Sequence, residues 1–227
     1  MNLLVQTPLF GFLLTLTAYY VSVWVQNRLK TQLANPLIIS VSLVIIILKI
    51  LNISLDTYAN GAALIGFFLA PATITLGLSV YRHLENLKRY WLVVLAGSTV
   101  GAAVSISTIL IGARIFSLEP LLRQSLIPKS VTNAIAIEIS PLIGGIPSLT
   151  VLAVLFTGLT GILLIPLMVR LFCRDNEVAQ GLAIGTSTHL IGTSKALEIG
   201  SIQGAMSSIA ICTTGLATVV LVLVLQL

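Results

Sequence analysis

The chain is 227 residues long with a formal charge of +5, yet only 8% of its residues are charged and 57% are apolar. A soluble domain is about 25% charged, so too few charges remain to coat a water-facing surface, and an all-α, polytopic membrane protein is expected. The basic residues sit in short clusters between apolar runs, where topology signals sit, which argues against nucleic acid as a partner.

A membrane-crossing helix needs roughly 20 mostly apolar residues. Six runs approach that length: residues 3–25, 36–51, 61–80, 90–113, 147–169 and 202–225. Two further stretches, 125–146 and 179–200, are apolar enough to enter a membrane but rich in Gly, Pro, Ser and Thr. The length rule gives about six to seven transmembrane helices plus two broken or re-entrant polar segments. No polar stretch is long enough for a soluble domain, so residues 1–227 read as a single membrane domain.

The first run has no basic residues ahead of it and no A-x-A site before Arg28 and Lys30, so it is expected to stay as a helix and not be removed as a signal peptide. The connection after the second run carries Asp56 as its one charge. In the third run, Pro71 of Leu69-Ala70-Pro71-Ala72-Thr73 removes a backbone donor and is expected to kink the helix. Arg82, Lys88 and Arg89 follow the third run, and Arg170 and Arg174 the fifth. Lys and Arg gather on the cytoplasmic side, which puts the N-terminus outside and the ends of the odd-numbered runs inside, and the C-terminus outside if each polar segment enters and leaves on the same side. Arg114 and Arg123 are then external. Tyr19, Tyr20, Trp24, Tyr81, Tyr90 and Trp91 mark run ends, as an interfacial aromatic belt does.

The first polar segment runs from Pro128-Lys129-Ser130-Val131-Thr132-Asn133 through Glu138 to Pro141, Gly144, Gly145 and Pro147. An unpaired backbone group in lipid costs on the order of several kcal/mol, so such a chain belongs where protein buries it or water reaches it. In the second segment, Gly185-Thr186-Ser187 returns as Gly192-Thr193-Ser194 seven residues on. Seven residues is close to two helical turns, so Thr186, His189 and Thr193 would share one face, on which Gly185 and Gly192 add no bulk. Pro71, Pro128, Pro141, Pro147, Gly144, Gly145, Gly185 and Gly192 are the expected helix-break positions. Each segment also pairs an upstream lysine with a carboxylate, Lys129 with Glu138 and Lys195 with Glu198. Two related halves would leave that trace, and inverted repeats with broken helices are common in secondary transporters.

Each residue has a plain structural reading as well. Small residues pack membrane helices, Glu138 and Glu198 suit the interface, Lys195 can pair with Glu198 at i, i+3, and His189 can be a satisfied core residue. Together they read as a site: Lys129, Ser130, Thr132, Asn133, Thr186, Ser187, His189 and Thr193 for an anion, with His189, Glu138 and Glu198 as proton-coupling candidates. Cys173 and Cys212 lack metal spacing, and no nucleophile elbow, HExxH or phosphate loop is present. No metal, cofactor or catalytic residue is therefore expected.

The chain resembles the LrgB/CidB family of bacterial membrane proteins along nearly its whole length. The resemblance is carried by Leu69 to Thr73, Pro128 to Thr132, Ile137-Glu138-Ile139-Ser140, Gly144 to Thr150, Gly181 to Thr193 and Gln203-Gly204-Ala205-Met206-Ser207-Ser208. Asn133 and Leu190 depart from that pattern. The resemblance implies a multi-pass protein of the bacterial inner membrane that modulates murein hydrolase activity and autolysis in holin/antiholin fashion. It implies a small LrgA/CidA-type membrane partner; a homo-oligomer in the lipid bilayer is the other assembly considered. It also implies transport, because a plant plastid relative is a glycolate/glycerate translocator and bacterial relatives are linked to pyruvate. The expected function is a proton-coupled carrier of small monocarboxylates, with holin-like regulation as the alternative.

Overall fold

The computed structural model describes residues 7–29 and 36–226; the start of the first run at residue 3 and Lys30 lie outside them. Among the described residues every regular element is helical and none is a strand. In chain order these are α1 (Pro8–Leu29), α2 (Pro36–Ile50), α3 (Leu55–Gly66), α4 (Leu69–Arg82), α5 (Leu84–Ile115) and α6 (Pro120–Leu126), which runs into a 3-10 turn (Ile127–Ser130). There follow α7 (Asn133–Leu142), α8 (Pro147–Met168) with a π turn (Val169–Cys173), α9 (Glu177–Ile199) and α10 (Ser201–Val224).

Four of the described helices are long and apolar enough to cross a membrane: Leu9–Leu29, Leu84–Ile115, Pro147–Cys173 and Ser201–Val224. Pro36–Ile50 is apolar but shorter. The expected span over 61–80 is divided, since α3 stops at Gly66 and α4 starts at Leu69. Pro71 lies in the first turn of α4, where a missing N–H leaves no helical bond unmade. The interruption therefore falls at Phe67 and Phe68, ahead of the proline.

The chain forms two compact units, residues 1–72 and 73–227. In the first, α1 packs on α2 and α3 around Ala18, Val44 and Leu48. A Cβ on Gly11 would stand 2.4 Å from the Tyr58 carbonyl, so α1 and α3 touch backbone to backbone there. Thr15 and Tyr58 share a hydroxyl bond of 2.8 Å across the same contact. Ser54 caps α3 by accepting from the Thr57 N–H.

In the second unit α9 is not a straight rod. Its backbone reverses at His189, with φ 51° and ψ −139°. A straight helix would hold residues 180 and 200 about 30 Å apart. Instead both meet Gln203: its amide donates to Gln180 Oε1 at 3.1 Å, and a Cβ on Gly200 would stand 2.4 Å from its Oε1. Deeper in, Ile184 clusters with Ala196, and the Thr188 side chain covers Gly192. The pairs 180/200, 184/196 and 188/192 all close on position 190. Thus α9 is a helical hairpin whose two ends lie together.

Residues 120–142 double back as well. The Ile146 N–H donates to Ser125 Oγ at 2.8 Å. The Thr150 hydroxyl lies 2.8 Å from the Ser125 carbonyl and 2.7 Å from Ser140 Oγ, so it touches both arms. The turn itself is Val131 and Thr132, both extended. Thr132 then caps α7 by accepting from the Ile135 N–H.

Helix α8 records how deep each hairpin goes. Thr150, in its first turn, sits at the base of the first hairpin, and Val154 packs on Val131 and Ala136 beside that hairpin's tip. Towards its other end, Ile165 packs on Ile184 and Ala196 from the arms of the second hairpin. Gly161 and Gly158 receive Thr188 and Ile191 beside the second tip. The hairpins therefore enter from opposite ends of α8 and their tips meet near its middle. With 22 residues, α8 is about 33 Å long, close to the roughly 30 Å hydrocarbon thickness of a bilayer.

Candidate functional site at the hairpin tips

Both returning arms, α7 and residues 190–199 of α9, begin at the tips. Their helix N-termini, which carry partial positive charge, thus lie at the shared centre. The 3-10 turn of the first hairpin packs against α5, α8 and α9 and presents Lys129. The Lys129 ammonium donates to Ser130 Oγ at 3.0 Å and to Ser105 Oγ of α5 at 3.2 Å. The Ser105 hydroxyl in turn donates to Ser130 Oγ.

His189 lies against the Ser130 backbone and within electrostatic range of Lys129. It is only 3% exposed, and neither ring nitrogen has a partner at hydrogen-bonding geometry. Two more buried polar atoms share that condition, Asn133 Oδ1 and Thr214 Oγ1. Asn133 opens α7 directly behind the first tip. A Cβ on Gly215 would stand 2.6 Å from Ile135 Cδ1, which puts the Thr214 level of α10 beside the same turn of α7. Buried polar groups are as a rule hydrogen-bonded, which makes these atoms candidates for ligand contact.

Not every residue expected at the site is there. Ser130, Thr132, His189 and Thr193 are buried, and Lys129 and Asn133 are half-buried. Thr193 bonds Ser207 Oγ at 2.7 Å and the His189 carbonyl at 2.9 Å, and so ties the second tip to α10. Ser187 is exposed and bonds the Ala183 carbonyl at 2.6 Å. Thr186 bonds the Leu182 carbonyl and faces Gly101 of α5. The single helical face expected for Thr186, His189 and Thr193 does not exist, because the helix reverses between them. Glu138 and Glu198 are exposed, and Glu198 pairs with Lys195 at 2.7 Å.

The helix-break positions divide by role. Pro128 sits in the 3-10 turn with non-helical ψ, Pro141 inside the last turn of α7, and Pro147 at the start of α8. Gly144 has φ +78°, and a Cβ on Gly145 would stand 2.7 Å from Ser140 Oγ. Gly185 and Gly192 are helical, and the break falls between them at His189. Gly185 instead lets α9 approach α10, since a Cβ would stand 2.4 Å from the Ser207 carbonyl. A Cβ on Gly192 would stand 1.6 Å from Thr188 Oγ1, so the hairpin closes only over glycine.

A family model described as the LrgB-like family matches residues 15–227. Relatives named antiholin-like protein LrgB, from Bacillus cereus (strain B4264) and Bacillus anthracis (strain A0248), are each 36% identical over 218 residues, which is 96% of this chain and 95% of theirs. The chain belongs to the LrgB-like family. No solved structure matches it.

In this LrgB-like chain the site includes residues that lay unnoticed in the apolar runs. Ser105 of α5 stands beside Ser107 and Thr108, and Thr214 of α10 beside Thr213; Thr108 and Thr213 bond their own helix backbones. The signal of Ser105 and Thr214 was spacing: Ser98 and Ser105, and Ser207 and Thr214, are each seven apart on one face of their helices. Ser98 bonds Thr213 at 2.6 Å, holding α5 to α10 below the tips.

Proposed function

We propose that this LrgB-like membrane protein acts as an antiholin-like regulator in a bacterial plasma membrane, restraining murein hydrolase activity together with a small LrgA/CidA-type partner. The match to relatives of that name along 96% of the chain carries this reading. Cells lacking the chain should autolyse faster and show raised murein hydrolase activity, both reversed by complementation. Unchanged lysis in the deletion strain would contradict it.

The tip geometry favours a second, compatible reading. A carrier for a small monocarboxylate anion such as glycolate, glycerate or pyruvate needs a mid-depth site reachable from either side, built from broken helices. Two hairpins from opposite ends, helix N-termini at their tips and the Lys129 ammonium supply those parts. The first hairpin with α8 and the second with α10 are read as related halves of one membrane domain: Thr150 and Gln203 each sit in the first turn of the following helix and touch both arms. Lys88, Arg89, Arg170 and Arg174 lie at the end of the second hairpin's base, which on the positive-inside rule is the cytoplasmic end. Purified protein in liposomes should take up labelled glycolate, D-glycerate or pyruvate saturably, faster with an inward proton gradient. No uptake above empty liposomes from a folded sample would remove this reading and leave the first.

A further inference from the structure

We propose that Lys129 is the proton carrier of the tip site, taking up one proton with one monoanion and releasing both on the other side. The inference rests on the carrier reading above and assigns its coupling to a residue outside the expected set of His189, Glu138 and Glu198.

The first observation is the distribution of charge. The chain has seven Asp and Glu residues: Asp56, Glu85, Glu119, Glu138, Asp175, Glu177 and Glu198. All are exposed. Among the described residues Lys195–Glu198 is the ion pair formed, so no carboxylate pairs with the Lys129 ammonium. The groups on the packed elements do not supply a counter-charge. Glu85, Lys88, Arg89 and Arg114 lie in the end turns of α5, Arg123 is exposed on α6 and Glu138 is exposed on α7. Helix α8 carries no titratable side chain. On α9, Glu177 is in the first turn and Lys195 and Glu198 pair with each other, leaving His189, which is neutral or cationic. A charge at this depth without a partner is strongly disfavoured. Either an anion binds beside it or the proton leaves.

The second observation is the hydroxyl pair. An ammonium has three donors, and Ser105 and Ser130 take two, which leaves one for a ligand. Hydroxyls both accept and donate, so one serine can donate to the single lone pair of a neutral amine while the other accepts from one of its N–H groups. The unpartnered hydroxyl of Thr214 and a ring N–H of His189 add neutral donors for a carboxylate. The loaded core, ammonium plus anion, and the empty core, neutral amine, then carry the same net charge. Each can face either side of the membrane without a charge penalty.

Lys129→Arg separates holding an anion from carrying a proton, because a guanidinium keeps its charge and does not release its proton in proteins. In proteoliposomes the wild type should accumulate glycolate along a pH gradient and not respond to an imposed membrane potential. The Arg variant should keep glycolate–glycolate exchange and lose gradient-driven accumulation, while His189→Gln, slowed by the loss of a donor to the carboxylate, should keep its remaining uptake dependent on the pH gradient. Accumulation by the Arg variant that follows the pH gradient as in the wild type, or wild-type uptake driven by potential, would overturn the proposal alone. A wild type that neither binds nor moves glycolate would remove the carrier reading and the proposal with it. If the Arg variant binds no glycolate, weakly buffered titration of the wild type decides. Proton uptake on glycolate binding that persists in His189→Gln supports Lys129, and its absence in the wild type overturns the proposal.

Discussion

The two hairpins solve one problem in different ways. A chain that turns back inside a membrane must bond the backbone groups it frees. The first hairpin spreads the turn over a 3-10 segment and two extended residues. Pro128 brings no N–H to satisfy there, and Thr132 caps the returning helix. Its base is closed by hydroxyls of Ser125, Ser140 and Thr150. The second hairpin concentrates the turn in His189, in a left-handed conformation that costs a non-glycine residue about 1–3 kcal/mol. Such strain persists only where the surroundings over-determine it. Here they do so through Thr193 on Ser207, Thr188 over Gly192, and Gln203 on Gln180 at the base. A polar residue held against its backbone preference, with both ring nitrogens unpartnered, makes the second tip the stronger candidate for function; the first is a turn of ordinary backbone.

Closure of the second hairpin is the part most sensitive to a single atom. Gly192→Ala, which must push Thr188 aside, should cost about 1–3 kcal/mol and lower the melting temperature in detergent. Gly145→Ala should do the same to the first hairpin. Wild-type melting of Gly192→Ala would mean that the arms do not close as described. The tips should then respond with opposite sign. His189→Gly relieves the left-handed strain and should raise stability by about 1 kcal/mol while impairing function. Thr132→Ala removes a helix cap and should lower stability by about 1 kcal/mol. Equal signs in the two melts would erase the contrast. At the second base, Gln203→Ala should cost about 1 kcal/mol by leaving the Gln180 amide without its donor. Lys195→Ala, breaking an exposed pair, should cost only a few tenths of a kcal/mol.

Much of this architecture is legible in the sequence. Low charge and long apolar runs give an all-helical membrane protein, and Pro, Gly and hydroxyl-rich stretches mark the two segments that do not simply cross. Lys129, Asn133 and His189 stand out as polar residues within them. What periodicity conceals is the reversal at His189. Residues 177–199 read as one helix because both arms keep helical spacing, and only contacts across the turn, such as 184 with 196, reveal the fold-back. Ser105 and Thr214 were hidden for a related reason. A Ser or Thr hydroxyl in an apolar helix usually bonds its own backbone, as Thr108 and Thr160 do here, and only the facing element distinguishes the exceptions.

The central claim is that the two polar segments re-enter from opposite faces and meet at mid-depth. It is tested most directly by single cysteines at Asp175, Ser201, Glu119 and Ser148 in a background with Cys173 and Cys212 replaced by Ser. Each is labelled with an impermeant maleimide in right-side-out and inverted vesicles. Asp175→Cys and Ser201→Cys, which flank the second hairpin, should label from one face, and Glu119→Cys and Ser148→Cys, which flank the first, from the other. Labelling of Asp175→Cys and Ser201→Cys from opposite faces would mean that α9 crosses the membrane, and would contradict the account.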